Sequence, residues 1–373
     1  MTQVRTSSRQ DHAFIRRHST ALERLPSSQG SMPTEDSREA LALIIPPESK
    51  YALLSVSLPV DQELPARLNL GKGISATRGI GFDIPDHWKD WIGSLATDEI
   101  RGSALCLWTI APSERPSILD EENRRLQQQV SLLFLGLLIG APNLGVNGRL
   151  NLLTGARTGD DVDIRQRVTP DQPLRSNGVM WHDVGVRDLQ EAARLAKSLN
   201  SISGKGTHLR LSTVIRKFRT AMNVLDSAER IHDFVACIEG CILPSQGKTE
   251  RQFVNRTELF IGPRFHDWAH KVFAVRSAVE HLNDRLEAVA LPSEHDAQLA
   301  ILRMAYECQE LARYCLQRIL SRPPLLDIFH NDSALAGFWA PGDDSQRADL
   351  WGGRFNLETA GEEFNPEFVL ADD

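Results

Sequence analysis

The sequence predicts an α+β protein, a strand-containing N-terminal domain followed by an all-α helical bundle. Three observations predict this. Before residue 115, short apolar runs with partial alternation recur between glycines, at 51–60 (YALLSVSLPV), 74–84 (ISATRGIGFDI) and 104–110 (ALCLWTI). From Val186 onward, long patterns of helical period dominate. The 373 residues are 41% hydrophobic and 24% charged, which fits an ordinary globular chain of about two domains. That composition excludes a wholly disordered or fibrous protein.

Residues 1–38 are rich in Ser, Gln and Arg, hold little that packs, and read as a mobile basic arm. Arg16 and Arg17 beside Phe14 and Ile15 suit a phosphate backbone; a solvated tail or leftover leader explains them as well. No apolar stretch of secretory type is visible near the start. The next unit, 39–200, opens with the strand runs above. Gly71, Gly73, Gly79 and Gly81 match neither a Walker loop nor a dinucleotide fingerprint, so they read as strand punctuation.

A helix is expected after Ser117, which has capping-box spacing to Asp120. It runs through the longest apolar stretch, Val130 to Ala141, and stops before Pro142. Twelve residues are too few to span a bilayer, which takes about 20. A buried helix and no membrane partner are expected. Residues 142–184, rich in Gly, Asn, Asp and Arg, read as loops with short strands, a place for a recognition surface.

Helices are then expected over 186–201, 207–224, 227–243, 249–261, 264–284 and 295–320, separated by Gly204-Lys205-Gly206, by Pro244 to Gly247, by Gly262-Pro263 and by Leu291-Pro292-Ser293. The last five form a bundle with short connections, assigned to 201–322. Pro323-Pro324 ends it, and 323–373 is an acidic tail.

The net charge is -7, unevenly spread. Residues 1–38 carry six Arg against four acids, and 323–373 carry two Arg against eleven acids. This is not the balance of a bulk nucleic-acid coat, but it permits a local basic groove. Phe338, Trp339, Trp351 and Phe355 in so acidic a tail suggest that parts of it dock. The tail either lies over a basic face and restrains it, or is solvated. Cys106, Cys237, Cys241, Cys308 and Cys315 form no CxxC pair. Buried thiols in a reducing cytoplasm are expected, without metal or cofactor.

The segment 272–281 (VFAVRSAVEH) holds the main chemical candidates. Val272, Val275, Val279 and Leu282 make the core stripe of one helix, and Arg276 and His281 fall off it. On spacing alone, Arg276 and Glu280 are an i,i+4 ion pair and His281 an exposed helix-end residue. His266 and His270 have zinc-protease spacing, but no third ligand follows and Asp267 is short for the base. They read as surface helix residues.

In wider context, 207–284 resembles the Apea-like branch of the HEPN superfamily, all-α domains that often act as metal-independent ribonucleases. The pieces come in the family's order. A basic helix, 211–222 (LSTVIRKFRTAM), precedes an acid-containing apolar helix, 230–243 (RIHDFVACIEGCIL). Lys248-Thr249-Glu250 leads into a helix with Arg256, and Arg-Ser-x-x-x-His closes the set at Arg276, Ser277 and His281. The resemblance covers about 110 residues, roughly 207–320. The family commonly reads Arg-Ser-x-Ile-Val-His-Gly; here Glu280 precedes the His and Leu282 follows it. A carboxylate there raises the His281 pKa or occupies Arg276.

The resemblance implies an endoribonuclease, a toxin-like effector of bacterial antiphage defence. RNA, tRNA included, is the implied substrate. A phage-derived or small-molecule trigger would act through 39–200, or that domain would position RNA. Arg276 and His281 are the implied catalytic pair. A ribose 2′-hydroxyl attacks the adjacent phosphate without metal, leaving a 2′,3′-cyclic phosphate. His281 exchanges the protons near neutral pH, and the Arg276 fork stabilises the phosphorane charge. Five residues along a helix rotate by about 140° beyond one turn, so one helix does not present both to one point. A homodimer with a shared cleft does.

Several candidates keep two readings. Ser277 orients a phosphate oxygen or caps its own helix turn. Glu239 matches the family's acid; by itself it is a buried carboxylate paired with Arg256 or Arg230. Arg216, Lys217 and Arg219 form an RNA-binding face or a solvated one. The alternatives to the ribonuclease are a non-catalytic HEPN module binding nucleotide, RNA or a partner protein, and a scaffold whose bundle dimerises.

Overall fold

The computed structural model describes residues 45–370, apart from 82, 83, 85, 160, 175, 204, 205, 244–246 and 343. The arm read over 1–38 lies outside the described residues. The class is α+β, as the sequence predicts: an antiparallel six-stranded sheet comes first and helices follow.

The strands are β1 (Ser49–Ser57), β2 (Arg67–Gly71), β3 (Ile74–Arg78), β4 (Leu105–Pro112), β5 (Asn147–Thr158) and β6 (Asp161–Val168). Their order in the sheet is β2-β3-β4-β1-β5-β6. Central strand β1 is covered on both faces, which explains why YALLSV is a run rather than an alternation. Ala52, Leu54 and Val56 face the main core with Leu105, Leu107 and Leu152. Tyr51 and Leu53 face a second cluster with Trp88, Trp108 and Leu153. Trp88 comes from α1 (Asp86–Ile92), which leads through Gly93 into α2 (Ser94–Arg101). These two helices lie inside the region expected to be strand-rich.

The expectation of short strands over 142–184 is corrected. β5 has 12 residues and β6 has 8, paired with a register shift at Thr154/Gly155. Edge strand β6, DVDIRQRV, keeps mainly polar residues outward, so its hydrophobic signal is weak. Gly155 lets the chains meet: a Cβ there would lie 1.8 Å from the Asp163 carbonyl oxygen.

Helix α3 (Glu121–Gly140) starts three residues later than a cap at Ser117 would set it. Asp120 caps it, accepting from the Glu122 N–H at 2.9 Å, while Asn123 Oδ1 accepts from the Asp120 N–H at 3.3 Å. The fully buried Lys50 of β1 holds the same end, 2.7 Å from Asp120 and 2.9 Å from Glu122. The apolar run of α3 is buried between the sheet and α4 (Val186–Ile202), as its length implied. At Gly136 the two helices touch backbone to backbone, where a Cβ would meet the Ala192 carbonyl oxygen at 2.4 Å. In an open helix Gly→Ala stabilises by about 1 kcal/mol. Here the sign reverses: Gly136→Ala should lower stability by about 1–3 kcal/mol through forced separation. A urea midpoint equal to or above wild type contradicts this contact.

The bundle comprises α5 (Leu209–Ala221), α6 (Ser227–Ile242), α7 (Thr249–Ile261), α8 (His266–Glu280) and the 28-residue α9 (Glu294–Ser321). α6 lies at its centre, against α5, α8 and α9. Ile231, Phe234, Val235 and Ile238 supply its buried faces. One apolar core continues from the sheet through α3 and α4 into this bundle. All five cysteines are free and buried, as expected.

The acidic tail is folded. It forms α10 (Pro323–Ile328), α11 (Asp332–Phe338), α12 (Asp344–Trp351), α13 (Leu357–Glu363) and α14 (Pro366–Leu370). Trp351 is 2% exposed, with its ring centroid 4.3 Å from that of Phe260. Arg318 and Arg322 both donate to its carbonyl, at 2.7 and 2.6 Å. The solvated-tail reading is thereby overturned: four aromatic residues and a pair of arginines give the segment enough buried surface to order it.

Candidate functional site

The candidate site is built on the outer stripe of α6, where His232, Asp233, Ala236, Glu239 and Gly240 follow one another at helical spacing. Small residues let α5 come close: a Cβ on Gly240 would lie 2.2 Å from Val214 Cγ2. A groove of about 710 Å³ runs between α5 and α6, lined by Lys217, Glu239, Gly240 and Val214, with Arg210 and Asp332 at one end. Arg210 and Asp332 close that end as a forked ion pair, at 2.6 and 2.7 Å. The tail contributes His330, Asn331 and Asp332 to the groove.

Arg276 reaches α6 from the other side. Its Nη2 lies 3.4 Å from Glu239 Oε2, and its Nη1 donates to Glu280 one turn along α8. The guanidinium sits 5.4 Å from the centre of the Phe273 ring. Arg276 Nε and Glu239 Oε1 are both buried and without a hydrogen-bond partner among the described residues. The guanidinium is therefore anchored but incompletely used.

Burial pushes the Glu239 carboxyl above its usual range, against the opposing pull of Arg276. A carboxyl raised in the folded state favours folding below its unfolded pKa near 4.5 and loses that contribution as pH rises through the folded value. Glu239→Gln should thus gain stability relative to wild type as pH rises from 4.5 toward neutrality. Urea midpoints of both proteins measured across that window check it, and a constant difference contradicts it.

His281 terminates α8, its N–H donating to the Ser277 carbonyl at 3.0 Å. Its side chain is exposed and makes no hydrogen bond or ion pair among the described residues. Leu282, expected on the core stripe of this helix, instead lies beyond its end at Glu280, with φ 56 and 93% exposed. Arg276 and His281 share one end of α8, but no hydrogen bond joins them, as the 140° rotation requires. The i,i+4 pair of Arg276 with Glu280 is present, so the carboxylate before His281 occupies the arginine. Ser277 is half-buried on the same turn.

Two expected pairings are corrected. Glu239 pairs with Arg276, not with Arg256 or Arg230. Arg256 instead donates to the Ile242 and Leu243 carbonyls, at 2.6 and 2.7 Å, capping the C-terminus of α6 beneath Trp339. Arg230 points the other way, into the bundle, donating to Gln309 Oε1. The predicted basic face also divides. Arg216 and Arg219 are exposed on α5, whereas Lys217 turns into the groove and pairs with Asp233 at 3.0 Å. His232 Nδ1 lies 3.2 Å from the same Asp233 carboxylate. This Lys217–Asp233–His232 cluster does not follow from the motifs read in the sequence. Its signal was the position of 232, 233, 236, 239 and 240 on one stripe.

His266 and His270 are held by Glu258 at 2.7 Å and Glu250 at 3.1 Å. No group of three or more metal-ligating side chains occurs among the described residues. No helix among them is long and apolar enough to cross a membrane. No family model, curated protein or solved structure matches the chain. The likeness to HEPN domains therefore rests on the ordered residues quoted for it.

Proposed function

We propose that the chain is a metal-independent endoribonuclease of HEPN type, acting as a homodimer on RNA. The observation that carries this reading is the end of α8. There Arg276 is fixed against Glu239 of the central helix, while His281 stands exposed five residues on. An always-charged fork beside an exposed imidazole is the equipment that phosphate transesterification needs. His281 takes the 2′-hydroxyl proton or gives one to the leaving 5′-oxygen, and Arg276 holds the phosphate oxygens. Two copies supply both roles in one cleft. Arg216 and Arg219, with Lys217 in the groove, hold flanking phosphates. In a bacterial setting this activity suits a toxin-like antiphage effector in the cytoplasm.

A second reading, a non-catalytic module that binds nucleotide, RNA or protein, is favoured by one observation, the ion pair that engages Arg276 with Glu280. Substrate phosphate must displace this carboxylate for cleavage. Glu280→Gln tests the choice: it should raise cleavage several-fold if Arg276 is catalytic. Unchanged RNA with this variant, alongside undiminished binding, favours the module.

A further inference from the structure

Two ion pairs fix how α8 lies along α6. Arg276 meets Glu239 in the last turn of α6 at 3.4 Å, and Arg285, just past the end of α8, meets Asp226, the N-cap of α6, at 2.5 Å. The two helices therefore run antiparallel, and the end of α8 leads toward the first turns of α6. His232 lies on α6 between the two anchors. It precedes Glu239 by about two turns, so both side chains share one stripe, the one that Arg276 reaches. The separation along the axis is about 10 Å, and helical side chains lean toward the N-terminus, which carries the Glu239 carboxylate and the guanidinium on it toward His232. Glu280, nearer that end of α8, draws Arg276 the same way. Burial raises the Glu239 carboxyl pKa, Arg276 opposes this, and the charge of His232 is close enough to lower it too.

His232 is half-buried, with Nδ1 3.2 Å from Asp233 Oδ1, the oxygen that also accepts from Lys217 Nζ at 3.0 Å. The carboxylate holds the proton on Nδ1 and leaves the Nε2 lone pair as the basic position. No hydrogen bond or ion pair among the described residues engages Nε2. The charged groups about the ring are Lys217 from α5, Glu229, Asp233 and Glu239 on its own helix, and Arg276 and Glu280 from α8.

We propose that His232 is a second proton-transfer group of the cleavage reaction, the general base that complements His281 as general acid. This rests on the ribonuclease reading. The bond from the 2′-oxygen to phosphorus forms as His232 Nε2 takes the hydroxyl proton. The bond from phosphorus to the 5′-oxygen breaks as His281 gives its proton to that oxygen, and the Arg276 fork holds the charge between the two events. One imidazole is not neutral and protonated at once, so a separate base and acid need two rings. His281 is turned about 140° from Arg276 around α8, whereas His232 stands on the side that Arg276 faces.

The test follows kcat/KM of the full chain on single-stranded RNA in EDTA, from about pH 5 to about pH 9. Wild type should give a bell, its acid limb set by the base and its alkaline limb by the acid. His232→Asn puts an amide nitrogen where Nδ1 meets Asp233 but does not titrate. It should slow cleavage about 100-fold, flatten the acid limb and leave the urea midpoint unchanged. His232→Ala should be slowed as much and regain part of its rate with added imidazole, which a purely structural role of the ring would not allow. An acid limb that persists in His232→Asn overturns the assignment of His232 and leaves the ribonuclease reading standing. Intact RNA with wild type overturns both.

Discussion

Trp351→Ala should cost about 3–5 kcal/mol of stability, the range for emptying a buried indole site. The residue lies near the C-terminus, in a segment whose charge alone suggests a solvated tail. Its ring packs on Phe260 of α7 and meets Tyr314 of α9 edge-on, 6.4 Å between centroids. Its carbonyl holds Arg318 and Arg322 together. The Phe355 N–H donates to the Phe260 carbonyl at 2.7 Å, fixing the chain just beyond it. Two elements of the bundle therefore lose their cover when the indole is removed. A chain ending at Arg322 should be destabilised at least as much, and should not show simple unmasking of an intact bundle. Urea unfolding followed by far-UV circular dichroism decides this. A change within about 0.5 kcal/mol, usual for surface substitutions, contradicts the docked tail.

The second large effect is expected at the end of α8. His281→Ala should leave the fold intact, because the ring is exposed and makes no side-chain bond among the described residues. It should slow RNA cleavage about 100-fold or more, the range for loss of a general acid or base. Arg276 needs a gentler substitution, because its removal strands the buried Glu239 carboxyl. Arg276→Lys keeps the charge beside Glu239 and loses the fork. It should retain stability and lose most cleavage. Full activity in Arg276→Lys would remove the arginine from the transition state.

Much of the architecture was legible because period and punctuation agreed. The five bundle helices follow apolar stripes with clear breaks, and Gly262-Pro263 divides α7 from the turn before α8. Strand β6 was obscured by its polar outer face, and α1 and α2 by their shortness amid apolar runs. Ser117 misled because Asp120 is the better-placed cap, with Lys50 from β1 completing the arrangement; that is a tertiary contact 70 residues away.

At the site, the Arg276–Glu280 pair and the exposure of His281 followed from helical spacing. The partner of Glu239 did not. Choosing among Arg230, Arg256 and Arg276 depends on how α6 is rotated within the bundle, and local pattern does not report that rotation. The division of Arg216 and Arg219 from Lys217 has the same cause, since 100° per residue sends adjacent positions to different neighbours.

The central claim is tested most directly with single-stranded RNA and total tRNA, incubated in EDTA with wild type and with His281→Ala. Fragments ending in 2′,3′-cyclic phosphate from wild type, and about 100-fold fewer from the variant, are the predicted result. Equal fragmentation by both proteins, or intact RNA with both, would contradict it.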